Sequence, residues 1–273
     1  MIHFICTACG TQFAAHREPP ERCPICQDSR QFIPPAGQSW TTLSELRLKH
    51  RNMFQAYEPS VLGIGTSPAF AIDQRALLIR RASGNILWDC IPLIDEATRT
   101  IVAGLGGIRA IAISHPHFYS TMVEWSNAFG GVPIYINEAE RDWVMRPDPA
   151  IEFWRGETKV IGPGLTLIRC GGHFEGGQVL HDANLASGHG ALFTGDIIMV
   201  VADRNWVSFM YSYPNLIPLP AQNVIEIGAR LAPFDFDRIY GAFWDRVVEA
   251  DGKNVLERSV ARYLERIRNK NEE

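Results

Sequence analysis

The chain has 273 residues, of which 46% are apolar, so it can bury a sizeable core without disulfide staples. Its 26 Lys and Arg against 30 Asp and Glu give a formal net charge of -4. That balance excludes a strongly basic nucleic-acid binder and a polybasic membrane anchor, and no apolar run is long enough for a membrane span.

The N-terminus, Met1 to Cys6, lacks the charged and apolar regions of a secretory signal, and a cytoplasmic location is the expectation. Cys6-x-x-Cys9 and Cys23-x-x-Cys26 follow, separated by 13 residues. In a reducing compartment two such pairs read as one tetrahedral thiolate site rather than as disulfides or free thiols. Gly10 after the first pair lets the backbone turn beneath the ion. The stretches Phe4 to Gly10 and Glu18 to Cys26 resemble the short rubredoxin-like module of rubrerythrins. Such modules hold iron for electron transfer or zinc as a structural staple, and the structural role is the simpler reading for so short a segment. Pro34-Pro35-Ala36-Gly37 reads as a linker, which divides the chain into a four-cysteine metal module over 1–36 and a second domain over 37–273.

Beyond the linker, short apolar strands alternate with amphipathic helices, the pattern of an α/β domain. Strands are predicted at 76–79, 86–90, 108–113, 132–136, 165–170, 178–181 and 191–194. Helices are predicted at 119–129, 222–231 and 254–267, where apolar residues recur on one face; Val224, Ile227 and Leu231 mark the second.

The chemistry-bearing residues fall where predicted strands end. Ser114-His115-Pro116-His117 follows one strand, and residues two apart in extended chain point to the same side, toward one ion. His173 stands between the pairs Gly171-Gly172 and Gly176-Gly177, where backbone can approach a ligand closely. Asp196 follows Phe193-Thr194-Gly195. A lone Asp after Gly is ordinarily a turn former and a lone His a surface residue, but four candidate ligands at successive strand ends form a set.

These motifs, in this order, resemble the metallo-β-lactamase superfamily from about Val61 onward, with Asn85 to Cys90 similar to the strand that in that family ends in an Asp near the metal. The resemblance implies a four-layer αββα sandwich. It implies that His115, His117 and His173 form the first metal site, with Asp196 beside or bridging it. The family pattern HxHxDH is broken, because Tyr119 and Ser120 stand at the Asp and final His positions. The late histidine is also missing from Tyr240-Gly241-Ala242-Phe243-Trp244. One ion is therefore expected, not two.

With zinc, three imidazoles leave a position for a water acidified to a pKa near about 7, and metal-bound hydroxide would attack an ester, thioester or related small-molecule substrate. Asp196 would orient the hydroxide or act as base, and Tyr119 would either donate to a substrate oxyanion or pack as an aromatic. A mononuclear iron site from His115, His173 and Asp196 serving a dioxygenase, or a domain without turnover, are the alternatives. The aromatic-dense stretch Asn205 to Pro214 reads as a pocket wall, a homo-oligomer contact or core. Asp203 and Trp244 are further candidates for the site border, His181-Asp182 and His189 read as strand-end and turn residues, and His3, His16 and His50 are expected in solvent.

Overall fold

The computed structural model describes residues 1–267. The chain divides into two compact units, Met1–Trp154 and Arg155–Glu273.

In the first unit, β1 (Ile5–Cys6) pairs antiparallel with β2 (Trp40–Thr41), with the short helix α1 (Pro24–Gln27) between them in sequence. Helix α2 (Leu43–Lys49) starts at a capping box: the Thr42 hydroxyl accepts the Glu45 N–H at 3.2 Å, and the Glu45 carboxylate accepts the Thr42 N–H at 2.9 Å. A seven-stranded sheet then runs in sequence order through β3 (Arg51–Glu58), β4 (Val61–Ser67), β5 (Arg75–Ile79) and β6 (Ile86–Trp88). Helix α3 (Glu96–Gly104) leads to β7 (Ala110–Ala112), helix α4 (Met122–Ala128) to β8 (Ile134–Asn137), and β9 (Ile151–Trp154) closes the sheet. Pairing is antiparallel from β3 to β6 and parallel from β6 to β9. Parallel neighbours need a crossover, and α3 and α4 supply two of them. β5 and β6 are buried along their whole length, which explains why they read as continuous apolar runs.

The second unit begins with the antiparallel run β10 (Thr158–Gly162), β11 (Leu165–Arg169), β12 (Gln178–Asp182) and β13 (Ala191–Gly195). Two small ribbons follow, β14 (Met199–Val200) with β15 (Val207–Ser208) and β16 (Met210–Ser212) with β17 (Ile217–Pro218). Helix α5 (Ala221–Leu231) crosses over to β18 (Arg238–Gly241), which lies parallel to β13 and antiparallel to β19 (Val247–Val248). Helix α6 (Gly252–Ile267) completes the described chain. α5 buries the predicted stripe Val224, Ile227 and Leu231 in a core with Ile168, Val179, Leu192 and Ile239. From α6, Val255 and Leu256 enter the same core, and Val260, Tyr263 and Leu264 pack at its margin.

The predicted strands are all present, each shifted or trimmed by a few residues. The helix predicted from Tyr119 starts only at Met122, because a 3-10 turn over Pro116–Phe118 and a left-handed Ser120 (φ 43°) intervene. The cysteine segment is hydrogen-bonded to the rest of its unit: the Ala14 N–H donates to the Met145 carbonyl and the Gln12 N–H to the Ser120 carbonyl, both at 3.0 Å.

Asn85 sets the approach to β6. Its buried amide donates to the carbonyls of Leu105 (2.9 Å) and Gly107 (2.8 Å), and its oxygen accepts the Arg81 N–H (3.1 Å). Three bonds from one buried side chain join the turn before β6 to the end of α3. Asn85→Ala should lower unfolding stability by about 2–4 kcal/mol, since buried backbone groups are left without partners. Urea denaturation of the full chain checks this, and a loss under about 0.5 kcal/mol, the range of a surface substitution, would count against the linkage.

Candidate metal centres

The first centre follows from the Cys-x-x-Cys turns. The Gly10 N–H returns to the Cys6 carbonyl at 2.9 Å, and the Cys6 N–H donates to the Thr11 carbonyl at 3.0 Å. Gly10 holds φ +80°, and a Cβ there would lie 2.6 Å from Pro92. On the other side, Cys23 caps α1, with Pro24 as its first residue. The sulfurs of Cys6, Cys9, Cys23 and Cys26 all lie within 4.8 Å of one another, with Cys6 to Cys26 at 3.5 Å and Cys9 to Cys23 at 3.7 Å. All four are buried and none is disulfide-bonded. The Gln38 amide donates to the Cys6 sulfur at 3.1 Å. Hydrogen bonds from Cys23 and Cys26 push the Cys6 thiol down, while those with Cys23 push Cys9 and Cys26 up. Thiols this close cannot all lose their protons unless a cation takes up the charge, and this donor set fits one tetrahedral ion.

The second centre gathers the other four predicted ligands. Donor atoms of His115, His117, His173 and Asp196 lie within 4.8 Å of one another, and all four residues are buried. His115 stands in extended conformation (φ -169°, ψ 173°) immediately before the 3-10 turn, and its ring centroid is 4.9 Å from that of His117. The turn, rather than strand alternation, brings the two rings to the same side. Ser114 Oγ lies 2.9 Å from His115 Nδ1, which leaves Nε2 as that ring's ligand atom. The Ser114 N–H in turn donates to Asp89 Oδ1 at 2.7 Å.

His173 owes its place to Gly171 and Gly172, both at positive φ; a Cβ on Gly172 would lie 2.9 Å from Ile227. His173 Nδ1 is 3.0 Å from the Met210 carbonyl, so Nδ1 carries the proton and Nε2 the lone pair. Asp196 opens the turn after β13. The Thr194 hydroxyl donates to the Ile198 carbonyl at 2.7 Å, and the Tyr213 hydroxyl donates to the Asp196 carbonyl at 2.7 Å. Burial, with the Asp196 charge beside it, raises the Tyr213 phenol far above its ordinary range and keeps it a donor. Ser114, Met210 and Tyr213 thus hold residues of this cluster, and of these only the aromatic stretch carries a signal in sequence.

Tyr119 and Ser120 follow directly on the His115-Pro116-His117-Phe118 turn. Tyr119 is buried, and among the described residues its hydroxyl has no hydrogen-bond partner. Burial first, and then the Glu140 charge, push its phenol up. The Ser120 hydroxyl accepts the Gln74 amide at 3.0 Å. With Thr11 and Gln12, both residues line a cavity of about 10 Å³, about the size of one water. Elsewhere, His3 and His50 depart from the solvent expectation: Nδ1 of each lies 2.9 Å from a carbonyl, of Phe13 and Pro68 respectively. His16 and His189 are exposed, His181 is bonded to the Asp235 carbonyl at 2.7 Å, and Asp203 is exposed and accepts the Asn205 N–H at 3.0 Å.

No protein-family profile matches the chain. It is 52% identical over 266 residues to the uncharacterized protein YmaE of Bacillus subtilis (strain 168), covering 97% of this chain and 96% of the relative. The chain belongs to the YmaE family. Solved structures show its fold. VMB-1 at pH 5.5 aligns with a TM-score of 0.59 at 12% identity, over 80% of this chain and 99% of the other. The DIM-1 metallo-β-lactamase gives 0.56 at 13%, over 77% and 96%, and the Hirschia baltica metallo-β-lactamase 0.53 at 18%, over 77% and 96%. The fold class of this YmaE relative is therefore the metallo-β-lactamase one, as its motifs implied, with a four-cysteine cluster near the N-terminus.

Asp89 carries a titration within this framework. It is fully buried with φ 58°, and desolvation raises its carboxyl to about 7, against the opposing hydrogen bond from Ser114. A carboxyl raised on folding favours the protonated native state, so stability falls as pH climbs from about 4 to about 7 and levels off above that. Asp89→Asn keeps the acceptor for Ser114 and tolerates the left-handed backbone. In metal-free protein the variant should gain on the wild type across that window, by a few kcal/mol at most, read as midpoint shifts in urea at pH 5, 6 and 7.5. Parallel pH profiles for the two proteins would show that Asp89 does not titrate there.

Proposed function

We propose that this protein is a metal-dependent hydrolase that cleaves a small-molecule ester, thioester or related acyl compound with a single ion at the His/Asp centre. The observation that carries this reading is the convergence of three imidazoles and one carboxylate within 4.8 Å, all buried. Three nitrogens and an oxygen suit zinc, with a coordination position left for substrate or water if Asp196 stands off. The fold, shared with the DIM-1 and Hirschia baltica metallo-β-lactamases, supports hydrolysis as the reaction class. Tyr119 and Ser120 support one ion, because neither replaces the Asp or the His of a second site.

A bound divalent ion supplies Lewis acidity, polarising an acyl oxygen and acidifying a water. The residues around it do the rest. Met210 and Ser114 fix the ring orientations of His173 and His115, each presenting Nε2. Asp196, held at its backbone by Tyr213, accepts the proton of the attacking water and passes it to the leaving group. Tyr119 keeps its proton, and the Tyr119→Phe variant below decides between a donor to the developing oxyanion and a packed aromatic. The partners this reading implies are a small-molecule substrate, with neither nucleic acid nor membrane, and a second copy of the chain through the aromatic stretch Asn205 to Pro214.

Elemental analysis of the purified full-length protein tests the centre. About two ions per chain are expected in the wild type and about one in His115→Ala and in His173→Ala, with hydrolysis of p-nitrophenyl acetate and of an acyl thioester lost in both. Iron at the second centre, with oxygen consumed, would replace the hydrolase by the oxidoreductase; unchanged metal content in both variants would remove the centre altogether. For Tyr119→Phe the expected change is a drop of about 10–100-fold in kcat with KM little altered. An unaltered kcat would reduce Tyr119 to a packed aromatic.

A further inference from the structure

Ser120 is joined to the cysteine knuckle by more than packing. Its backbone is left-handed at φ 43°, a conformation a β-substituted residue adopts only when its surroundings hold it there. Two groups do so. The Gln12 N–H donates to its carbonyl at 3.0 Å, and the Gln74 amide donates to its hydroxyl at 3.0 Å. Gln12 and Gly10 belong to the same turn as Cys6 and Cys9, closed by the Gly10 to Cys6 and Cys6 to Thr11 hydrogen bonds. Arg146 bonds the Gln12 side-chain oxygen and reaches Glu124 of α4 at 2.6 Å, so the turn is fastened to that helix a second time. Gln12, Gln74 and Ser120 are all buried.

On its other side Ser120 is three residues from His117. The intervening backbone is taut: the Tyr119 N–H donates to the Pro116 carbonyl at 3.3 Å, and the Phe118 N–H donates to that of His115 at 3.1 Å. A displacement of Ser120 has little slack to absorb it before it reaches the two imidazoles.

We propose that occupancy of the four-cysteine site sets the affinity of the His115-Pro116-His117 turn for its own ion, with Gln12, Gln74, Ser120 and Arg146 as positioning residues. The inference rests on the metal-binding reading of the His/Asp centre. An ion on four thiolates fixes Cys6 and Cys9, hence Gly10 to Gln12, hence the backbone of Ser120, hence the spacing of His115 and His117. Removing it frees the turn and adds an ordering cost to binding at the imidazoles. Linkage makes the effect reciprocal, so an ion at the imidazoles also tightens the thiolate site. The staple at the N-terminus is then part of the second centre's binding equilibrium and not only of the fold.

Cobalt(II) titration of the full-length metal-free chain reads both sites separately. Cobalt on four thiolates gives an intense near-ultraviolet charge-transfer band, whereas nitrogen and carboxylate ligands give only weak visible bands. The wild type should show both sets. In Cys9→Ser/Cys23→Ser the thiolate band disappears and the remaining site should bind at least about fivefold more weakly, within the roughly 5–150-fold range of site couplings. Arg146→Ala should keep the thiolate band and weaken the second site by about threefold or more, with partial recovery in Arg146→Lys. Far-ultraviolet circular dichroism reports which variants fold; if the cysteine variant does not, Arg146→Ala decides. A folded variant whose second-site affinity stays within about twofold of the wild type overturns the coupling. A wild type with the thiolate band alone overturns the His/Asp centre itself, and the coupling with it.

Discussion

Buried ligand atoms constrain this chain more than any other feature. Four thiols within one cluster, and three imidazoles with a carboxylate within another, are all withdrawn from water. Such groups are expensive in an apolar interior unless a cation or a full set of hydrogen bonds compensates them. Around them the chain places residues that serve the donors: the Gln38 amide on a sulfur, Ser114 and Met210 on the imidazoles, Tyr213 on the backbone of Asp196. Partners of this kind determine which nitrogen of a ring is left for a metal, and hence what the cluster can hold.

The secondary structure delivers these donors from strand ends. β6 and β7 are buried parallel neighbours, and the chain leaves them at Asp89 and Ser114, which bond to each other at 2.7 Å. That single bond ties the end of one strand to the start of the histidine turn. In the second unit, β11 leads through Gly171 and Gly172 to His173, and β13 leads through Gly195 to Asp196. Each ligand thus sits one or a few residues beyond a rigid element, where backbone torsions can aim it while the strand behind keeps it in place.

Much of this was legible in the sequence because burial leaves a record in composition. β5 and β13 are buried throughout and read as largely apolar runs; α5 carries its stripe at helical spacing. The residues of the two clusters were legible as motifs. β3 was not, because Arg51–Glu58 lies half-exposed along its length and carries no apolar alternation. β4 is interrupted by Gly63 and Gly65, which weaken a strand signal although the strand is buried. The segment around His115 reads as extended chain followed at once by helix, since nothing local announces that Ser120 is left-handed; its partners Gln12 and Gln74 are remote in sequence. Nor can a backbone carbonyl such as that of Met210 be seen in a sequence at all, though it decides the tautomer of His173.

The positions that depart from the superfamily pattern gain a physical meaning from what now surrounds them. An Asp and a His at 119 and 120 would put a charge and an imidazole where the chain has a buried phenol and a serine bonded to Gln12 and Gln74. Gly10 lies beside Ser120: a Cβ built on it would meet Ser120 Oγ at 3.5 Å, an ordinary van der Waals contact. Ser120 is thus the point at which the cysteine turn, through the Gln12 N–H, is bonded to the segment that follows His115-Pro116-His117.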